Sequence, residues 1–268
     1  MSRVYILGMS LLVTDAIVLH AFDYLESSRI VRLLTRDAGV QSVLARGARK
    51  SRGRYGSALD LFAEGTAQLY VKPNRELHNL ASFELARART ALAFDIGRFT
   101  AASAIAELAL RFGGEEGNPA LYDAVAESLD RLAESSPATT VADGLAGCWR
   151  IISMLGFTPE LSSCALCHTP LREADDAAFS HAAGGIVCPS CSRLAPVGRR
   201  IPAGARKAIR GWLGEDEPVA DFADVAPLAE NEGRSHQRLL REFIGAHIGD
   251  DRPLRAFAVW EHDRWSAA

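Results

Sequence analysis

Two matched cysteine steps are the part of this chain best suited to chemistry: Cys164-Ala165-Leu166-Cys167 and, after twenty intervening residues, Cys188-Pro189-Ser190-Cys191. Each C-x-x-C step forms a tight knuckle that aims two thiolates at one point. The intervening segment is long enough to turn back and set the second knuckle opposite the first. Four soft thiolates complete the tetrahedron preferred by Zn²⁺ and leave no open position, the donor set of a structural rather than a catalytic ion. Gly184 and Gly185 permit a tight turn just before Ile186-Val187, a short apolar entry to the second knuckle. The expectation is one structural Zn²⁺ on Cys164, Cys167, Cys188 and Cys191.

Other cysteine chemistries fit less well. A redox C-x-x-C opens a helix beside a strand, in a βαβ setting that is missing around Cys188, and it would leave the pair at Cys164 without a role. Nucleobase deaminases carry H-x-E ahead of P-C-x-x-C; here the proline follows the first cysteine and the chain has no H-x-E. Cys148 stands apart, on an apolar helical stretch with Leu145, Ile151, Ile152 and Leu155, and reads as core. No G-x-x-x-x-G-K-[ST] phosphate loop and no Ser/His/Asp constellation is recognisable, so no turnover chemistry is expected.

A second group of residues could hold a polyanion. The run from Arg46 to Arg54 carries five basic residues in nine (Arg46, Arg49, Lys50, Arg52 and Arg54) and no acid. Its glycines let the chain follow a phosphate backbone while guanidiniums bridge phosphate oxygens. Lys72 and Arg75 could extend the same surface, and Phe22, Tyr24, Tyr55, Phe62 and Tyr70 are the aromatic candidates for stacking or for core. The net charge of −3 hides an asymmetry. Residues 1–80 hold eleven basic against seven acidic side chains, and Arg29 to Arg54 hold eight against one, so a polyanion would meet the N-terminal part first.

These groups need a frame. Asp15–His20, Arg29–Thr35, Val40–Ala45, Leu61–Val71 and Leu77–Leu85 read as five short strands, with Asp37-Ala38-Gly39 closing a hairpin. Five strands in about seventy residues predict a small closed barrel, with the OB-fold the commonest answer and an SH3-like barrel an alternative. Beyond Ala86 the period changes to helical: one helix through Phe99–Ala109, a second capped by Asn118-Pro119, and a third from Thr140 to Leu155. Further helices are expected over 202–213 and 235–248, separated by an acidic loop over 214–230. The fold class is therefore α+β, an N-terminal five-stranded OB barrel followed by an α-helical domain carrying the four-cysteine zinc lobe. The expected bounds are 1–12 for an N-terminal extension (Met9 being a possible start), 13–85 for the barrel, and 86–159 and 196–250 for the helical domain. The zinc lobe would fill 160–195, and 251–268 a C-terminal tail. Hydrophobic residues make up 48% of the 268, enough for a sizeable core, but no run of eighteen apolar residues exists to span a membrane. The N-terminus lacks a signal-peptide pattern, so the cytoplasm, where thiols stay reduced, is the expected compartment.

At this point the residues resemble a known family. Asp15-Ala-Ile-Val-Leu-His-Ala-Phe-Asp-Tyr24, Ser28-Arg-Ile-Val-Arg-Leu-Leu-Thr-Arg36 and Val43-Leu-Ala-Arg-Gly-Ala-Arg49 are similar to the opening of the RecO family of bacterial recombination mediators. Leu59-Asp-Leu-Phe62 sits at that family's L-x-P/L-F step without its proline, and Leu155-Gly-Phe-Thr-Pro-Glu160 resembles its GF-x-P-x-L segment. The four cysteines match the family's zinc-containing branch. The likeness covers about 13 to 250, and the N-terminal extension departs from it. It implies a non-catalytic DNA repair factor that binds single- and double-stranded DNA, anneals complementary strands and works with RecR. Such a factor helps RecA replace single-strand-binding protein, whose tail would dock on the helical domain, with the helices around Arg206–Trp212 or Arg238–Ile248 as candidates. Carried over by position, Arg29, Arg46, Arg49, Lys50, Arg52 and Arg54 would be the DNA contacts. The place of work would be the cytoplasm, at the nucleoid during repair. The rival reading is a zinc-stabilised OB-fold adaptor that binds RNA or serves transcription, which a preference for RNA over DNA would favour.

Overall fold

In the computed structural model, residues 4–6, 9–49, 55–72, 75–194, 198–214, 226–247 and 252–262 are described. A long strand, β2 (Met9–Tyr24), runs through the N-terminal part and is preceded by the short β1 (Val4–Ile6), which pairs with its start. Along β2 the alternation expected of a half-buried strand is visible. Leu12, Ala16 and Val18 point into the core, while Val13 and Asp15 face out. Its first half, Ser10 to Ile17, pairs antiparallel with β5 (Glu64–Val71). Its second half pairs with β3 (Ser28–Thr35), with a bulge between Val18 and His20.

From there β3 pairs with β4 (Gly39–Ala45), β4 runs parallel to β6 (Leu77–Arg87), and β6 pairs antiparallel with β5. Because β5 also bonds to β2, the ring β2-β3-β4-β6-β5 closes on itself, with the connectivity of an OB barrel. Val31, Leu33, Val43, Leu69, Leu80 and Phe83 fill its interior. The strand pattern expected from Val13 starts earlier, since Ser10, Leu11 and Leu12 are in register with Val71, Tyr70 and Leu69. Gly39 closes the β3–β4 hairpin at φ 62°, and a Cβ there would lie 2.6 Å from the carbonyl oxygen of Glu116. Only glycine satisfies both conditions.

By compactness the chain divides into residues 1–134 and 135–268. The first unit contains the barrel together with α1 (Ile96–Phe112) and α2 (Pro119–Glu134). Both helices begin at side-chain caps: Asp95 accepts from the Arg98 N–H at 2.8 Å and Asn118 from the Leu121 N–H at 3.0 Å. Arg89, whose side chain is 1% exposed, ties helix to barrel. It donates to the Phe62 carbonyl at 2.9 Å, the Glu64 carboxylate at 2.5 Å, the Asp130 carboxylate at 2.7 Å and the Ala126 carbonyl at 3.3 Å. Tyr122 donates to the other oxygen of Glu64 at 3.1 Å, and burial raises its phenol well above the usual range.

The second unit is built from α3 (Thr140–Met154), α4 (Ala203–Leu213), α5 (Glu230–His247) and α6 (Arg255–His262), with a three-stranded sheet β8-β7-β9 formed by Ala177–Ser180 (β7), Gly185–Val187 (β8) and Arg199–Ile201 (β9). Its core is aromatic. Phe243 of α5 lies 5.3 Å from Trp149 of α3 and 6.1 Å from Phe179 of β7, ring centre to ring centre. Cys148 is buried, and burial pushes its thiol up, which fits a packing role. Helix α5 starts five residues before the expected Ser235, and α6 occupies part of the expected tail, with Phe257 and Trp260 packed edge to face. Of the expected acidic loop, residues 215–225 lie outside the described residues. No described helix is long and apolar enough to cross a membrane.

Arg89→Met removes the donor to the Phe62 carbonyl and to one oxygen of Glu64, leaving Tyr122 on the other. Breaking a buried ion pair from one side costs about 3–5 kcal/mol, so the urea midpoint of the variant is expected to fall by a corresponding amount at unchanged m. A loss under about 1 kcal/mol would contradict the role given to Arg89.

Candidate metal centre and nucleic-acid interface

The two knuckles meet as their spacing predicts. The sulfurs of Cys164, Cys167, Cys188 and Cys191 all lie within 4.8 Å of one another, and those of Cys167 and Cys188 are 3.8 Å apart. A tetrahedral ion with metal–sulfur bonds of roughly 2.3 Å gives a sulfur–sulfur edge of roughly 3.8 Å. The backbone supplies the usual support of a knuckle: the N–H of Cys188 donates to the Cys164 sulfur at 3.3 Å, and that of Cys191 to the Cys188 sulfur at 3.5 Å. β8 delivers Cys188, and Gly184, at φ 77°, makes the turn before it. A Cβ on Gly185 would sit 2.3 Å from the carbonyl of Glu160, whose carboxylate in turn accepts from the N–H groups of Ser162 and Ser163 ahead of the first knuckle.

The thiols oppose one another electrically. Burial works to raise Cys164, but N–H donors from Cys188, Cys167 and Leu166 overcome it and hold the thiol at about 6. Cys191 is pushed up to about 12 by its neighbours Cys188 and Cys167. Four thiolates this close are stable together only around a cation, so the donor set fits a soft divalent metal and not a free dithiol.

On the barrel, Arg46 follows β4 and Leu77 opens β6, and the parallel pairing of these strands brings the two ends side by side. A groove of about 630 Å³ results, lined by Leu44, Arg46, Lys72, Arg75, Leu77 and Asn79, with Glu76 as its acid. It joins Arg46 to Lys72 and Arg75, which the sequence could only place on separate loops. Arg29 and Arg49 sit elsewhere, both on the carboxylate of Asp23: each donates through Nε at 3.2 Å, to Oδ1 and Oδ2 respectively. Arg49 also donates to the carbonyls of Leu25 and Glu26. Lys50, Arg52 and Arg54 lie outside the described residues.

Position sorts the aromatic candidates. Phe62 and Tyr55 are core, at 2% and 6% exposure, and the Tyr55 hydroxyl donates to the Leu80 carbonyl. Phe22, Tyr24 and Tyr70 are exposed. Sequence reasoning missed Asp23, although in a hairpin turning at Leu25–Ser27 it falls directly opposite Arg29. In the second unit Arg206 is buried and donates to the Arg172 carbonyl at 2.7 Å, so it offers no free cation at the surface of α4.

A closed OB barrel with a basic groove, in one chain with a helical unit that carries a cluster of four cysteines, defines a class of nucleic-acid-associated protein. Comparison makes it specific. Residues 9–89 match the family description "Recombination protein O N terminal" and residues 93–256 match "Recombination protein O C terminal". The DNA repair protein RecO of Anaeromyxobacter dehalogenans (strain 2CP-C) is 33% identical over 244 residues, covering 90% of this chain and 93% of that protein. The DNA repair protein RecO of Gloeobacter violaceus is 33% identical over 240 residues, covering 88% and 87%. The chain belongs to the RecO family, which assigns it a role in DNA repair and recombination.

Cys164→Ser is expected to lower bound metal from one ion per chain to none by elemental analysis. Proteolytic cleavage between residues 160 and 194 should accelerate in parallel, because metal binding and local folding are coupled. Full metal retention in the variant would contradict a four-thiolate site.

Proposed function

We propose that this protein is a non-catalytic recombination mediator whose barrel, over residues 13–85, binds single- and double-stranded DNA without sequence preference and anneals complementary strands. In this reading it works with RecR to help RecA load onto DNA coated by single-strand-binding protein, in the cytoplasm and at the nucleoid during repair. The observation that carries the reading is the convergence of Arg46, Lys72 and Arg75 on one barrel groove in a chain of the RecO family. Guanidinium and ammonium groups so placed neutralise phosphates and lower the repulsion between two approaching strands. Lys50, Arg52 and Arg54 follow Arg46 in the same basic run of the sequence and would add to it.

The metal is Zn²⁺ in this proposal, and its role is to hold the 160–195 lobe together. Cys164→Ser should therefore leave DNA affinity unchanged. The acidic tail of single-strand-binding protein docks on the helical unit. Because the Arg206 guanidinium is already engaged and Arg241 is paired with Glu261 at 2.7 Å, the exposed Arg238 of α5 is the better candidate for a basic contact to that tail.

Strand annealing on oligonucleotides coated with single-strand-binding protein tests the reading. The triple variant Arg46→Ala/Lys72→Ala/Arg75→Ala should lose annealing, and its log–log salt dependence for single strands should flatten by about 2, at roughly 0.7 per phosphate contact. No annealing by the metal-loaded wild type, with a preference for RNA at the same salt, would turn the conclusion to the RNA-binding adaptor. Asp23→Asn should act in the opposite direction. It frees Arg29 and Arg49 from an exposed ion pair worth about 0–1 kcal/mol, so affinity at low salt should rise by up to about fivefold. An unchanged affinity would show that neither guanidinium reaches DNA.

A further inference from the structure

The outer face of the second half of β2 carries three rings in a row. His20, Phe22 and Tyr24 stand two residues apart, so their side chains leave the same face of the strand at intervals of roughly 6.8 Å. All three are exposed, Phe22 to 44% and Tyr24 to 41%, and the rings of His20 and Phe22 lie 5.8 Å apart with their planes tilted by 54°. The row ends at the hairpin turn on Leu25, which is 74% exposed and held at φ 54°. Leucine is strained in the left-handed region, where glycine or asparagine would be at ease. An apolar side chain that is both strained and open to water contributes little to the fold, and strain of this kind gathers at working surfaces.

The surroundings say what the row receives. Past Val18, which still bonds Phe62 and Ala63, this edge of β2 has no strand partner among the described residues, and a groove of about 390 Å³ lined by Ala21, Phe22, Asp23, Arg29 and Leu59–Leu61 runs along it. Asp23 alternates to the other face of the strand and holds the guanidiniums of Arg29 and Arg49 there. At the edge of the hairpin the groove brings the two faces together, with Phe22 on one side and the Asp23–Arg29 pair on the other. A nucleic acid strand with exposed bases has the matching chemistry, with flat apolar faces on one side and phosphates on the other. A protein segment could pair with the free edge of β2, but lying in the plane of the sheet it would leave the faces of the three rings uncovered.

We propose that His20, Phe22, Tyr24 and Leu25 form a stacking track for unpaired bases, with Leu25 closing its end. The proposal rests on the nucleic-acid function above and deepens it, because it separates single-strand from duplex recognition. The ring interval is about twice the roughly 3.4 Å spacing of stacked bases, so alternate bases can lie against successive rings. Stacking ignores base identity. Duplex DNA keeps its bases stacked on one another and gains nothing from the track; it is held through its phosphates by the basic residues of the barrel, the groove at Arg46, Lys72 and Arg75 among them.

The test compares Phe22→Leu/Tyr24→Leu, which keeps apolar bulk but removes both π faces, with wild type. Fluorescence anisotropy is measured on an oligothymidylate and on a duplex of equal length. Single-strand affinity is expected to fall roughly 10-fold or more, and duplex affinity to stay within about twofold. Phe22→Trp should bind as wild type, and its added emission should be quenched by the single strand but not by the duplex. Leu25→Gly should melt higher than wild type, because the turn is relaxed, yet bind the single strand less well. Equal losses on both DNAs, or no loss on the single strand, overturn the track while leaving the basic groove standing. A wild type that binds neither DNA defeats the nucleic-acid reading itself and the track with it.

Discussion

The hydrogen bonds of one buried guanidinium fix much of what lies around it. Arg89 reaches the Phe62 carbonyl and the Glu64 carboxylate on the barrel side, and Ala126 and Asp130 on α2. Phe62 sits at φ 68°, a conformation a phenylalanine holds only when its surroundings determine it. Its N–H donates to the Val18 carbonyl at 2.7 Å, the Val18 N–H returns a bond to Ala63, and its ring packs edge-on against Phe99 of α1. The start of β5 is thereby pinned opposite Ile17. That register decides where β2 stops belonging to the closed barrel and continues as a hairpin with a free edge. The placement of Phe22, Tyr24, Asp23 and Arg29 on that hairpin is thus downstream of a side chain that touches no ligand.

Much of this was legible in the sequence because it is local. The knuckles, the Asp37–Gly39 turn, the Asn118-Pro119 cap and the strands β3 and β4 that flank the turn each depend on residues a few positions apart, and each appears where the pattern places it. Long-range facts were not legible. Nothing around Arg87-Ala88-Arg89-Thr90 marks the second arginine as buried and the first as exposed, since their partners, Asp130 among them, lie some forty residues on. The same is true of Arg206. Met9-Ser10-Leu11-Leu12 breaks strict alternation and so reads as preceding the barrel, yet its backbone completes the ladder with β5. Residue type alone could not divide the tyrosines and phenylalanines: Tyr55 and Phe62 lie in the connection between β4 and β5 and are core, whereas Phe22, Tyr24 and Tyr70 stand on strands with their side chains at the surface.

Charge is used in two opposite ways in the two units. Around the cysteines, four thiols stand so close that ionising one opposes ionising the next, an arrangement that a bound cation would reconcile. On the barrel, Arg46, Lys72 and Arg75 outnumber the one acid of their groove, Glu76, while Arg29 and Arg49 are paired with Asp23. Such an exposed pair is weak and screened by salt, which is the property a reversible polyanion site requires.

The asymmetry of the whole chain extends this logic. An excess of acids beyond residue 80 repels a polyanion from most of the surface, and the basic stretch from Arg29 to Arg54 attracts it, so approach is steered toward the barrel without any need for strong overall charge. Strong positive charge everywhere would hold DNA wherever it landed and in any form. A mediator that must bring strands together and then release them is better served by a contact that salt weakens and whose reserve cations are loosely paired. Under the proposed function, charge governs arrival and the aromatic face governs which form of DNA is retained. The two demands fall on different residues because phosphates are common to single strands and duplexes, whereas an open base face is not.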